Sequence, residues 1–159
     1  MKLSTLFKSI SVAGALAVSS LAFAVDNNIN VNANDLAIHG YDPVAYFTKG
    51  APTKGSAKYS ATHEGAIYYF SSTENRDKFK ANPTKFAPQF GGYCAMGIVL
   101  NQKLDTDPSA WYIDQGKLYL NLNKTVQKKW MEDVSGNIQT ADRTWNGIEY
   151  VPAQVLADQ

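Results

Sequence analysis

The chain has 159 residues, 45% of them hydrophobic, with 15 basic and 14 acidic side chains and a formal net charge of +1. That is enough apolar material for one core and too much for a disordered chain. The near-neutral balance argues against a nucleic-acid partner, which needs a basic stripe to displace counterions, and gives no electrostatic drive toward a membrane surface.

The first 24 residues, MKLSTLFKSISVAGALAVSSLAFA, place Lys2 and Lys8 before an uncharged apolar run and end in Ala22-Phe23-Ala24. This pattern predicts a Sec-type signal peptide over 1–24, cleaved between Ala24 and Val25. The run is short for a transmembrane helix, which needs about 20 residues, and no cysteine near the cleavage point offers a lipid anchor. The expected product is a periplasmic or secreted protein without a membrane anchor, whose balance of 13 basic to 14 acidic residues gives −1.

Residues 25–34 carry five asparagines and read as a flexible N-terminal segment, or an edge strand through Ile29, Val31 and Ala33. The domain is expected over 35–148, with 149–159 as a tail. No internal repeat is visible in the sequence. Asp42-Pro43 predicts a helical turn through Phe47, stopped at Gly50. A first hairpin is predicted from 58–62 and 66–70 about His63-Glu64-Gly65, followed by a helix capped by Ser72 or Thr73 and a short helix after Pro83. A second hairpin is predicted from 111–113 and 117–122 about Asp114-Gln115-Gly116. Asn123 caps a helix whose stripe is Val126, Trp130 and Val134, with Gly136 as its stop and a last short helix over 138–145. Two hairpins interleaved with short helices predict an α+β fold with a small antiparallel sheet.

Cys94 is the lone cysteine and cannot form an internal disulfide. In Gln89-Phe90-Gly91-Gly92-Tyr93-Cys94, paired glycines let the backbone turn sharply, and a helix beginning after them would lower the thiol pKa. The competing reading is burial, since free cysteine is among the most buried residue types. Met96 is a soft partner only if the segment is a strand; on a helix it points away from Cys94. His39, beside the Asp42-Pro43 turn, is the second candidate ligand or proton-transfer partner, whereas His63 at a hairpin tip reads as exposed. Tyr41, Asp42 and Tyr93 are candidate pocket residues. Cysteine and the two histidines supply three ligands, one short of a closed structural zinc site.

The stretches GYDPVAYF, GAIYYFSSTENRDKFKANPTKFAPQFGGYCA and DPSAWYIDQGKLYLNLNKTVQKKW resemble the YHS-domain family, and within it a small exported single-domain branch. The resemblance implies similarity to metal-binding treble-clef modules, in which cysteines follow a Tyr-Phe strand as Phe-Cys-Ser-x-x-Cys. Here Ser71 and Asn75 stand at those two cysteine positions. Some relatives carry selenocysteine at the Cys94 position, which implies soft-nucleophile or redox chemistry. Three readings follow. Cys94, with His39 and Met96, binds a soft metal, Cu(I) or Zn(II); or Cys94 is a low-pKa thiolate that needs an external thiol; or the chain is a non-catalytic module that binds a small ligand or partner, with Cys94 buried.

Overall fold

The structure, a computed structural model, describes residues 28–158. The predicted signal peptide lies outside the described residues. Within them the fold is α+β, with two separate two-stranded antiparallel sheets among seven helices. Strand β1 (Ser56–His63) pairs with β2 (Ala66–Phe70), and β3 (Asp107–Asp114) with β4 (Lys117–Asn121). Each hairpin closes through two residues at positive φ, Glu64-Gly65 and Gln115-Gly116. Positive φ at both central residues is the I′ geometry, whose twist matches the strands, and it explains the x-Gly pair at each tip.

Helix α1 (Ala45–Thr48) precedes the first hairpin; α2 (Thr73–Ala81) and α3 (Pro83–Phe86) follow it. Helix α4 (Ala95–Val99) precedes the second hairpin; α5 (Lys124–Met131), α6 (Val134–Ile148) and α7 (Ala153–Ala157) follow it. The caps are those the sequence predicts at Ser72 and Asn123, whose side chains accept from the backbone N–H of Asn75 and Val126.

The two halves are one unit built twice. Strand β1 starts at Ser56 and β3 at Asp107, a step of 51 residues (107 − 56), and the same step relates His63 to Asp114, Phe70 to Asn121 and the caps Ser72 and Asn123. Both hairpins slip register at the same place, between Ser56 and Ser60 and between Asp107 and Trp111. The caps Asn82 and Asp133 have matching backbone angles, φ −153°, ψ 77° and φ −151°, ψ 74°. Each unit opens with three consecutive left-handed residues, Ile38-His39-Gly40 (φ 50°, 51°, 78°) and Phe90-Gly91-Gly92 (φ 54°, 60°, 78°).

The cores follow the units. Val44, Tyr46, Tyr68, Phe70 and Phe79 anchor one cluster; Phe90, Ile98, Tyr119, Trp130 and Leu156 anchor the other. Strand β4 serves both, sending Leu118 and Leu120 into the first and Tyr119 into the second. A strand buried on both faces explains why Leu-Tyr-Leu shows no polar alternation.

Three expectations change. Gly136 does not stop α5; it lies in the first turn of α6, where its N–H is held by the Asp133 carboxylate at 2.9 Å, so Asp133 starts a new 15-residue helix. The expected tail contains α7, with Leu156 buried in the second cluster. The N-terminal segment from Asn28 onward is docked: Ile29 is buried, and the Asn30 N–H donates to the Gly91 carbonyl at 2.9 Å.

That docking requires glycine at 91, where a Cβ would fall 1.7 Å from the Asn28 carbonyl oxygen. Gly50, also at positive φ (64°), has open space around it. Gly50→Ala is therefore expected to cost only left-handed strain, about 1 kcal/mol, and Gly91→Ala about 2–3 kcal/mol, because the N-terminal segment must also move. Urea denaturation of the two variants checks the difference.

Candidate functional site

Cys94 caps α4. Its sulfur is 0% exposed and accepts the backbone N–H of Gly97 at 3.3 Å and of Leu122 at 3.2 Å. The thiol faces Asn121 Oδ1 at 3.8 Å, and that same oxygen accepts the Met96 N–H at 3.2 Å. Cys94 thus fastens the turn before α4 to the exit of β4. The predicted helix start after the glycines is present, and the thiol it would act on is buried. Burial pushes the thiol pKa up, against the smaller opposing effect of the backbone N–H groups of Gly97, Leu122 and Met96.

Asp42 occupies the equivalent place in the first unit. It too is 0% exposed, and five bonds reach its carboxylate. Oδ1 accepts from the N–H of Val44 at 2.9 Å and of Ala45 at 3.2 Å. Oδ2 accepts from the Ser71 N–H at 2.8 Å, the Ser71 hydroxyl at 2.7 Å and the Asn75 amide at 2.7 Å. The counterparts match one by one: Ser71 N–H to Asp42 as Leu122 N–H to Cys94, and Ala45 N–H as Gly97 N–H. Both anchors also donate their own N–H across the loop, Asp42 to Thr53 at 2.8 Å and Cys94 to Leu104 at 2.9 Å.

The other predicted residues are dispersed. His39 Nε2 lies 3.0 Å from Asp105 Oδ1, partly exposed, and is not among the groups touching the Cys94 sulfur. Met96 lies on α4 and packs against the second core. Tyr41 carries Lys54 over its ring at 5.2 Å. Tyr93 donates its hydroxyl to the Ile29 carbonyl at 3.3 Å. Asp42 makes its bonds to Val44, Ala45, Ser71 and Asn75 rather than to the Cys94 sulfur. His63, expected to be exposed and unpaired, is only 19% exposed, meets Phe79 edge-on and sits 3.8 Å from Glu64.

The comparisons with known proteins bear on the first of these units. The family model of the YHS domain matches residues 44–90. A YHS domain is present. No curated protein and no solved structure matches the chain. The matched span of the YHS domain runs from just before α1 to Phe90, the residue at which the second unit opens.

The metal that the resemblance implies finds no fitting set of donors among the described residues. At the family's cysteine positions Ser71 and Asn75 donate hydrogen bonds to Asp42, whose two oxygens already accept five. Cys94 offers one sealed sulfur, and among the described residues no three His, Cys, Asp or Glu side chains group to hold a metal ion.

What the YHS domain does possess is a cleft of about 270 Å³ along its edge with the second unit. The hairpin tip supplies His63 and Glu64, β2 supplies Tyr68, the second unit supplies Phe90, and the end of α6 supplies Trp145 and Glu149. These residues escaped the sequence reading because they are far apart in the chain. The faint signal was Phe90 ahead of two glycines. Nearby, Lys103 is 5% exposed and donates to the carbonyls of Glu149 at 2.6 Å and Val151 at 2.8 Å, under the rings of Tyr93 and Trp145. It ties the end of α6 in place.

Three outcomes follow for Cys94. Its alkylation in the native protein should be at least about a thousandfold slower than in the urea-unfolded chain, because labelling must wait for unfolding. Since the folded thiol pKa is raised, its contribution to stability is full below the unfolded value of about 8.5 and is lost as pH rises toward the folded pKa. Wild type should therefore lose stability relative to Cys94→Ser between about pH 8 and 10, read by urea melts at each pH. Cys94→Asp should cost about 3–5 kcal/mol, because Leu122 and Val126 stand where Ser71 and Asn75 stabilise Asp42 and bring no side-chain donors.

Proposed function

We propose that this chain is an exported, non-catalytic binding protein. In this reading Cys94 is a structural anchor, and a small ligand is held in the cleft between the YHS domain and the second unit. The observation that carries the reading is the cleft itself: the N-terminal segment, both units and α6 all contribute to its wall. Its volume lies just under the usual range for small-molecule sites, which suits a ligand of modest size.

The burial of Cys94 counts against the two thiol-centred alternatives, Cu(I) or Zn(II) binding and redox exchange with an external thiol. Either would need the sulfur to reach a partner, and it is buried against the N–H groups of Gly97 and Leu122 and the Asn121 amide oxygen.

A Cu(I) titration against a competing chelator should give the same result for wild type and Cys94→Ser. Loss of a stoichiometric site in the variant would restore the soft-metal reading. A fragment screen followed by amide and indole NMR shifts should place its saturable hits at Glu64, Phe90 and the Trp145 indole. Hits confined to other surfaces would sink the cleft as the binding site. Mass spectrometry of the exported protein should give Val25 as its first residue.

A further inference from the structure

The duplication supplies an internal comparison for the cleft. The step of 51 residues (114 − 63) carries His63, Glu64, Tyr68 and Thr84 of the first cleft onto Asp114, Gln115, Tyr119 and Ser135, and these four line a second depression of about 260 Å³. The repeated scaffold therefore makes a hollow of this size wherever a hairpin tip stands over the following helix. What distinguishes the first hollow is what has been added to it.

Four additions stand out. Glu149 adds a second carboxylate residue to the lining that contains Glu64, whereas the twin hollow is lined by Asp114 and Lys117. Among the described residues, no lysine or arginine lines the first cleft. Phe90 and Trp145 add aromatic walls, with ring centroids 6.0 Å apart. Phe90 is held at φ 54°, a conformation that costs a non-glycine residue roughly 1–2 kcal/mol. Finally, Asn28 joins the lining from the N-terminal segment.

From these features we infer that the cleft between the YHS domain and the second unit binds a small organic ammonium ion. The ammonium would meet the carboxylates of Glu64 and Glu149, with its carbon skeleton against Phe90 and Trp145. Aromatic faces attract a cation through the ring quadrupole, and Trp145 already holds the Lys103 ammonium 5.1 Å from its centroid. Lys103 interacts with Glu149 and offsets part of its charge. Glu64 has His63 as its near partner, at 3.8 Å. This inference rests on the proposal that the cleft is the ligand site, and it adds the chemical class.

The test titrates the ¹⁵N-labelled protein at pH 8 with three probes of one shape: butylammonium, 1-butanol and butyrate. The expected result is saturable shifts at Trp145 and Glu64 with butylammonium alone. Glu64→Gln and Glu149→Gln should each weaken binding by about three- to tenfold, an effect reduced by salt. Asp114→Asn, in the twin hollow, should leave it unchanged. Binding of butanol or butyrate in the cleft as tightly as butylammonium would overturn the ammonium class and keep the cleft as a site. Absence of saturable shifts at the cleft with all three probes would overturn the class, and if the fragment screen is also silent there, the site with it.

Discussion

The structure depends on one kind of contact made twice: a buried side chain just after a left-handed turn that gathers backbone N–H groups from a strand exit. A two-stranded hairpin is marginal by itself in water, and this fold contains two of them in separate sheets. Asp42 and Cys94 each join the segment before a hairpin to the residue after it, Ser71 and Leu122 respectively. Hairpin, preceding turn and following helix are thereby closed into one unit. The aromatic pairs Tyr68–Phe79 and Tyr119–Trp130, with centroids at 4.8 Å and 5.4 Å, then pack strand on helix at equivalent positions.

The two anchors differ in chemistry because their surroundings differ in donors. A buried carboxylate must be compensated at nearly every lone pair, and Asp42 is, through two side-chain donors as well as three backbone ones. At Cys94 the side-chain donors are missing, and the nearest polar side chain, Asn121, presents its acceptor oxygen. A neutral thiol needs far less compensation. Asn121 cannot turn its amide nitrogen toward the sulfur without setting N–H against the Met96 N–H, which leaves Nδ2 buried without a partner. Cysteine is the group this pattern of donors and acceptors accepts, and its place in the chain follows from packing.

Much of the secondary structure was legible in the sequence because local rules decide it. Gly65 and Gly116 mark tight hairpin turns, and Ser72 and Asn123 are residues of the N-cap type just ahead of the helices that follow them. The repeat was not legible. Its equivalent positions share Gly40 with Gly92, Tyr41 with Tyr93, Gly65 with Gly116 and Tyr68 with Tyr119, but the anchors are a carboxylate and a thiol. What repeats is backbone geometry and the direction of N–H groups, and sequence comparison sees neither. The thiol misled for the same reason. A helix start beside cysteine suggests a depressed pKa, but α4 has five residues and the sulfur is sealed, so desolvation outweighs the N–H groups. The cleft was invisible because Asn28, Glu64, Phe90 and Glu149 meet only through tertiary packing.

The departure from exact repetition explains where a binding site can arise. After the cap Asn82 the first unit makes only the four-residue α3, whereas after the equivalent Asp133 the second makes the fifteen-residue α6. That longer helix crosses α4, and its end carries Trp145 and Glu149 back to the first unit's hairpin tip. Lys103 fixes that end by donating to the carbonyls of Glu149 and Val151. The described residues that line the twin hollow all belong to its own unit. Sites are commonly grafted onto a scaffold at its irregular points. Here the irregular point is the extension of one helix, and it delivers an aromatic wall and a carboxylate to a hollow that the repeat had already formed.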